Sequence, residues 1–443
     1  MRLSFFDLSL SVPRVFGVAA SANLGVLAYK SVAQAIPATT DTRLTYDLEV
    51  YDGSDWHDNV TNNARFTVPA GVTLARFHSG VEDTSTQSLI TQWLNGSGGT
   101  RGLGKARGTT GGNQGNNVTS ALIEVTAGQY FETAIFANST GDVNTNGSNY
   151  AAAEIGDATI DRALVGKTAN QSISGNTNTL ISWNTESYDT NAFHDNATNN
   201  TRLTAPATGY YNIGCNIDSG SSTTSQLFVE IFLNGATASI SGFGGRDTEV
   251  TGVKRANFWT GPVSMTAAQY AEVNVFANTA FTLTNTAHSW FAIEEIPAGN
   301  AVCKVRNTAD QTIGAATHAA IAFGAELFDT AGFHDNATNN SRITIPAGYS
   351  RAKFSFMVIG SATADQKVIT LKKNGVAVPN TTFIGATRYD SSTSGFDQCS
   401  GSSPWLEVVA GDYFEVDGYS DGAWDVLGGT SGNYSHFSIE AIA

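Results

Sequence analysis

"WHDNVTNN" (residues 56–63), "FHDNATNN" (193–200) and "FHDNATNN" (333–340) are three versions of one eight-residue stretch. Their histidines, His57, His194 and His334, stand 137 and 140 residues apart. Other landmarks keep the same order around each. An aromatic-Asp pair comes first: Tyr51-Asp52, Tyr188-Asp189, Phe328-Asp329. Pro69, Pro206 and Pro346 each follow their histidine by 12 residues. Then come the pairs Asn95-Gly96, Asn234-Gly235 and Asn374-Gly375, followed by "AGQYFET" (127–133), "AAQYAEV" (267–273) and "AGDYFEV" (410–416). Each copy closes on a strand-like end: "YAAAEI" (150–155), "FAIEEI" (291–296), "FSIEAI" (437–442). A solenoid repeat has a period of about 20–50 residues. A period near 140 is that of a whole domain. The expected organisation is a segment over 1–25 and three tandem domains over 26–157, 163–297 and 301–443.

Inside each copy the apolar residues alternate. Tyr211, Ile213, Cys215 and Ile217 do so in "YYNIGCNI", and Phe354, Phe356 and Val358 in "KFSFMV". In "QLFVEIFLNG" (226–235) both faces are apolar, which predicts a strand covered on both sides. Short runs of period two between turn residues mean antiparallel β structure. Each Asn-Gly pair predicts a tight hairpin, because both central residues of that turn take positive φ. The fold class expected is all-β: three tandem antiparallel β-sandwich (jelly-roll) domains.

Composition narrows the function. The 443 residues are 41% hydrophobic and only 14% charged, with 39 acidic residues against 24 basic and a net charge of −15. An acidic chain without a Lys/Arg block is a poor nucleic-acid binder. Cys215, Cys303 and Cys399 fall at unrelated places in the copies, which argues against a disulfide framework or a zinc site. No apolar run reaches membrane-spanning length. The start, "MRLSFFDLSLSVPRVFGVAASANLG", imitates a signal peptide, but Asp7, Pro13 and Arg14 interrupt its apolar stretch. A docking or anchor segment is the expectation there.

"FHDNATNNTRLTAPATGYYNI" resembles the early signature of the complement-C-one-q/TNF-like jelly rolls, a "(K/R)-F-T-x-P-x-x-G-x-Y" strand. Arg202, Leu203, Thr204, Pro206, Gly209 and Tyr211 fill those places. Arg342, Ile343, Thr344, Pro346 and Gly348 do so in the third copy, and Arg65, Phe66, Thr67, Pro69 and Gly71 in the first. "LKKNG" (371–375), "VVAGDYFEV" (408–416) and "HFSIEAI" (436–442) resemble the family's later strands. The first two copies depart at the Gly-Asp pair, with Gly128-Gln129 and Ala268-Gln269. The resemblance implies assembly in threes about an axis. Either one chain folds its copies side by side as a pseudo-trimer, or three chains form a homotrimer with three stacked tiers. Such domains also occur in tailed-bacteriophage fibre and decoration proteins. The resemblance therefore implies a virion protein of head or tail, docked on other virion proteins through residues 1–25, for host adhesion or particle stabilisation. The rival expectation is a secreted adhesin or a lectin that binds a surface glycan.

As chemistry, His57-Asp58, His194-Asp195 and His334-Asp335 could hold a metal or share a proton. The competing reading is a structural loop, since Asp and Asn side chains fold turns. Recurrence in every copy favours the loop. Arg65, Arg202 and Arg342 count as structural landmarks too. "GKT" at 166–168 is not a phosphate loop, because its first glycine would fall on Asp161. No nucleophile elbow or zinc-protease motif occurs, so neither catalysis nor a cofactor is expected. In "DGYSDGAWD", Asp417, Asp421 and Asp425 form either a solvated acidic loop or a calcium loop. Trp424 and Tyr434 beside Asp421 are the candidate glycan contacts, against a core reading for the tryptophan.

Overall fold

The structure is a computed structural model that describes residues 25–107, 114–145, 149–220, 227–235, 243–247, 254–361, 367–375, 387–389, 396–428 and 435–443. Among them there is no helix, and all strand pairs are antiparallel. Strands between 26 and 155 form an eight-stranded and a five-stranded sheet, and strands between 301 and 442 repeat that arrangement. Those between 162 and 296 form two five-stranded sheets and a two-stranded one. No sheet mixes strands from two of these stretches. The expected docking segment lies almost wholly outside the described residues.

Alternation places the cores. In Lys367–Lys373 of the third copy, Lys367, Ile369 and Leu371 are buried and their neighbours half-buried. This is the pattern of an outer sheet with one dry face. Leu227–Leu233 is the equivalent outer strand, and its second face is covered only in part, with Phe232 buried there. Val229 and Ile231 enter the core, while Phe228 is half-buried and meets Phe276 edge to face, with centroids 5.9 Å apart. The strands covered on both faces are instead Leu74–Asp83, Gly209–Asp218 and Arg351–Ser361. One face of each enters its own core, and the other meets neighbouring copies.

The three hairpin turns form as the Asn-Gly pairs predict. Asn95, Asn234 and Asn374 have φ of 51°, 52° and 56°, followed by Gly96, Gly235 and Gly375 at 73°, 70° and 75°. Each asparagine side chain also accepts from the amide of Tyr130, Tyr270 or Tyr413, at 3.0, 3.0 and 2.9 Å.

The copies contact one another in a closed cycle. Tyr188 of the second donates its hydroxyl hydrogen to the Leu122 carbonyl of the first, at 2.8 Å. Phe328, the equivalent residue of the third, packs on Tyr210 of the second at 4.9 Å. Tyr51 of the first donates to the Trp405 carbonyl of the third, at 2.7 Å. Leu122 and Trp405 precede equivalent strands, Ile123–Glu124 and Leu406–Glu407. Apolar side chains line two of these contacts: Leu164, Trp259, Trp290 and Ala121 cluster between copies one and two, and Leu27 and Tyr150 of the first join the core of the third. Lys304 holds the place of Leu27 and Leu164, opposite Ser438 as they lie opposite Ala152 and Ala292. Its Nζ donates to the carbonyls of Thr260 (2.9 Å) and Pro262 (3.1 Å) in the second copy.

Candidate functional site

The recurrent loop is built on its aspartates. Asp52, Asp189 and Asp329 each accept backbone amides from the loop, including those of His57, His194 and His334 at 2.9 Å. Asp58, Asp195 and Asp335 each close a turn by accepting two amides two and three residues on, at 2.8–3.0 Å. Those two amides hold each carboxyl below the usual carboxylate range. Asn62, Asn199 and Asn339 take positive φ, which asparagine tolerates better than most residues.

The histidine rings are inside, with no exposed side-chain surface. Nδ1 faces Glu49, Glu186 or Glu326 at 3.0, 3.0 and 3.3 Å. Nε2 faces the carbonyl of Asn63, Asn200 or Asn340 at 3.1, 3.4 and 3.2 Å. Both nitrogens therefore meet oxygen acceptors, and no lone pair is directed at solvent. Chemically this is a pin between an edge strand and a loop. The landmark arginines are similar: Arg65, Arg202 and Arg342 stack on Tyr130, Tyr270 and Tyr413 at 4.1, 3.8 and 4.0 Å and bond to Glu132, Glu272 and Glu415.

Among the described residues, Trp424 and Asp421 do not form a common platform. Trp424 is 1% exposed and lies in a short strand, Trp424–Val426, not on a loop. A Cβ on Gly360 would lie 2.0 Å from its indole nitrogen, so the ring fills the space that this glycine leaves and cannot stack on a sugar. Asp421 is exposed and accepts from Tyr419 at 3.0 Å, and Tyr434 lies outside the described residues. The three aspartates have separate partners. Asp417 is buried between His318 and Lys372, each at 2.7 Å, and Asp425 accepts from Thr312 at 2.6 Å.

Among the described residues, a set of buried charges stands elsewhere, where the copies meet. Glu154 lies opposite Arg76, Glu294 opposite Asn212, and Glu440 opposite Lys353. These three pairs are equivalent positions in the three copies. The closing segments aligned by their ends hide this, because the first copy is displaced by one residue and pairs Glu154 with Glu295. Each glutamate is 2–3% exposed. The Nη2 of Arg76 donates to both oxygens of Glu294 in the next copy. Asn212 donates to Glu440 of the third copy at 2.8 Å, and Lys353 reaches the same oxygen at 2.9 Å. Glu154 accepts the Trp405 amide of the third copy at 2.7 Å and has His78 at 3.2 Å. Burial alone would raise the Glu154 pKa, but His78, Arg76 and Lys353 outweigh it and hold the group at about 2. A cavity of about 480 Å³, walled by Leu122, Trp405 and Ile160, opens on this ring. Gly25 packs on the backbone of Ala153 and Glu154, so the chain enters at the same end.

Compared with known proteins, the chain matches no family model and no curated sequence. Among the described residues no helix is long and apolar enough to cross a membrane.

Proposed function

We propose that this chain is a non-enzymatic display protein in which three jelly-roll domains, over 26–157, 163–297 and 301–443, act as a trimer made within one chain. The observation that carries this reading is the charge ring. A homotrimeric tier of second copies would bury three Glu294 carboxylates against three Asn212 amides, with no cation from this ring; Arg162, opposite Glu294 on the neighbouring strand, donates to the Ala158 and Ile160 carbonyls instead. Unpaired buried carboxylates cost several kcal/mol each. The second copy instead takes its cation from Arg76 of the first, which supports three copies side by side over three stacked tiers.

The more specific proposal is a bacteriophage virion fibre or decoration protein. It is supported by the resemblance to C-one-q/TNF-like domains and by chain entry at one end of the ring. Residues 1–25 then dock on other virion proteins, and the β domains point outward for host adhesion or particle stabilisation. Labelling the chain on intact particles tests this. The expected result is the full chain on the particle and loss of attachment when residues 1–25 are deleted. Export of a cleaved, particle-free chain would favour a secreted adhesin or lectin.

A further inference from the structure

The axial ring contains three carboxylates and two cations. Glu154, Glu294 and Glu440 face Arg76 and Lys353, and the third cation position is Asn212. His78 lies 3.2 Å from Glu154, and burial pushes its pKa below the usual value against the pull of that carboxylate. Asn212 is several atoms shorter than arginine or lysine and lines the 480 Å³ cavity together with all three glutamates. At the rim, Asp157 and Glu295 outnumber Arg351. Trp405 gives the cavity an aromatic wall, over which Lys353 Nζ already sits at 4.8 Å. Each glutamate has hydrogen-bond partners, Asn300 also donating to Glu440 at 2.7 Å, but carboxylates outnumber cations along this cavity, and an aromatic face attracts cations. Among the described residues no three acidic, imidazole or thiol groups converge closely enough to hold a metal ion.

We propose that this cavity binds a small organic cation, whose ammonium or guanidinium group takes the place that arginine and lysine fill in the other two copies. The apolar wall then covers the ligand's carbon chain, and the rim acids engage a second amine. The site exists only when all three copies close into one ring, so the inference rests on the single-chain reading above.

The test is calorimetric titration of the full chain with spermidine and, separately, with agmatine at low salt, alongside melting curves. One molecule should bind per chain and raise the melting temperature, with affinity falling as salt rises. Asn212→Lys provides the third cation from within. It should melt higher than wild type without amine, lose at least about tenfold in spermidine affinity, and show no further rise with amine. Glu295→Gln, at the half-exposed rim, should fold normally and bind spermidine more weakly. Absence of heat and of a melting shift up to about 10 mM amine would overturn the proposal. So would unchanged binding in Asn212→Lys, or an equal response to Ca²⁺ or Mg²⁺. A wild-type mass of three chains would sink the single-chain reading. A one-chain mass without amine response would sink only this inference.

Discussion

Ala268 occupies a backbone position where the other two copies have glycine. Its φ is 69°, against 85° at Gly128 and 90° at Gly411. The left-handed region costs an L-residue roughly 1–2 kcal/mol. Ala268→Gly should therefore stabilise the protein by about 1 kcal/mol, partly offset by the greater freedom of glycine in the unfolded chain. A Cβ on Gly128 meets nothing within 4 Å, so Gly128→Ala should cost about 1 kcal/mol through the backbone alone. Denaturant midpoints decide both. The histidine loop yields a second prediction at this scale. His194→Ala removes contacts on both ring nitrogens and should cost about 2 kcal/mol. Zn²⁺ should leave the wild-type melting curve unchanged. A zinc-dependent rise that vanishes in His194→Ala would restore the metal reading.

At the scale of elements, turns and alternation were legible, because both are written in neighbouring residues. The Asn-Gly hairpins and the alternating core strands followed directly from local pattern. Leu227–Leu233 fits its two-sided reading only in part: Phe232 is buried on the outer face, while Phe228 there is half-covered by Phe276. Trp424 was ambiguous: an aspartate-rich neighbourhood reads as a loop, and only the strand opposite, with Gly360, shows that the indole is enclosed. Truncating a fully enclosed tryptophan costs about 3–5 kcal/mol. Trp424→Ala should lose that much in a denaturation series. A change below about 1 kcal/mol would mean an exposed, ligand-facing ring.

At the scale of the whole molecule, the threefold repeat was legible and the copies' arrangement was not. The ring pairs residues more than 200 positions apart, such as Arg76 with Glu294, and nothing local announces such contacts. The one signal available was a glutamate in each closing strand, obscured by the one-residue displacement. The ring also sets an acid response. Glu154 is held at about 2 when folded, against an ordinary value of 4.5. Its folded pKa is depressed, so its contribution is complete above about pH 4.5 and is lost as pH falls towards 2. The shift corresponds to about 3 kcal/mol. Glu154→Gln should lower stability at pH 6 and flatten its decline between pH 4.5 and 2, read from melting temperature against pH.

Light scattering of the full chain across a wide concentration range tests the central claim most directly. Closure of three copies within one chain predicts a constant 46.5 kDa. A mass three times that would contradict it and return the copies to stacked homotrimeric tiers.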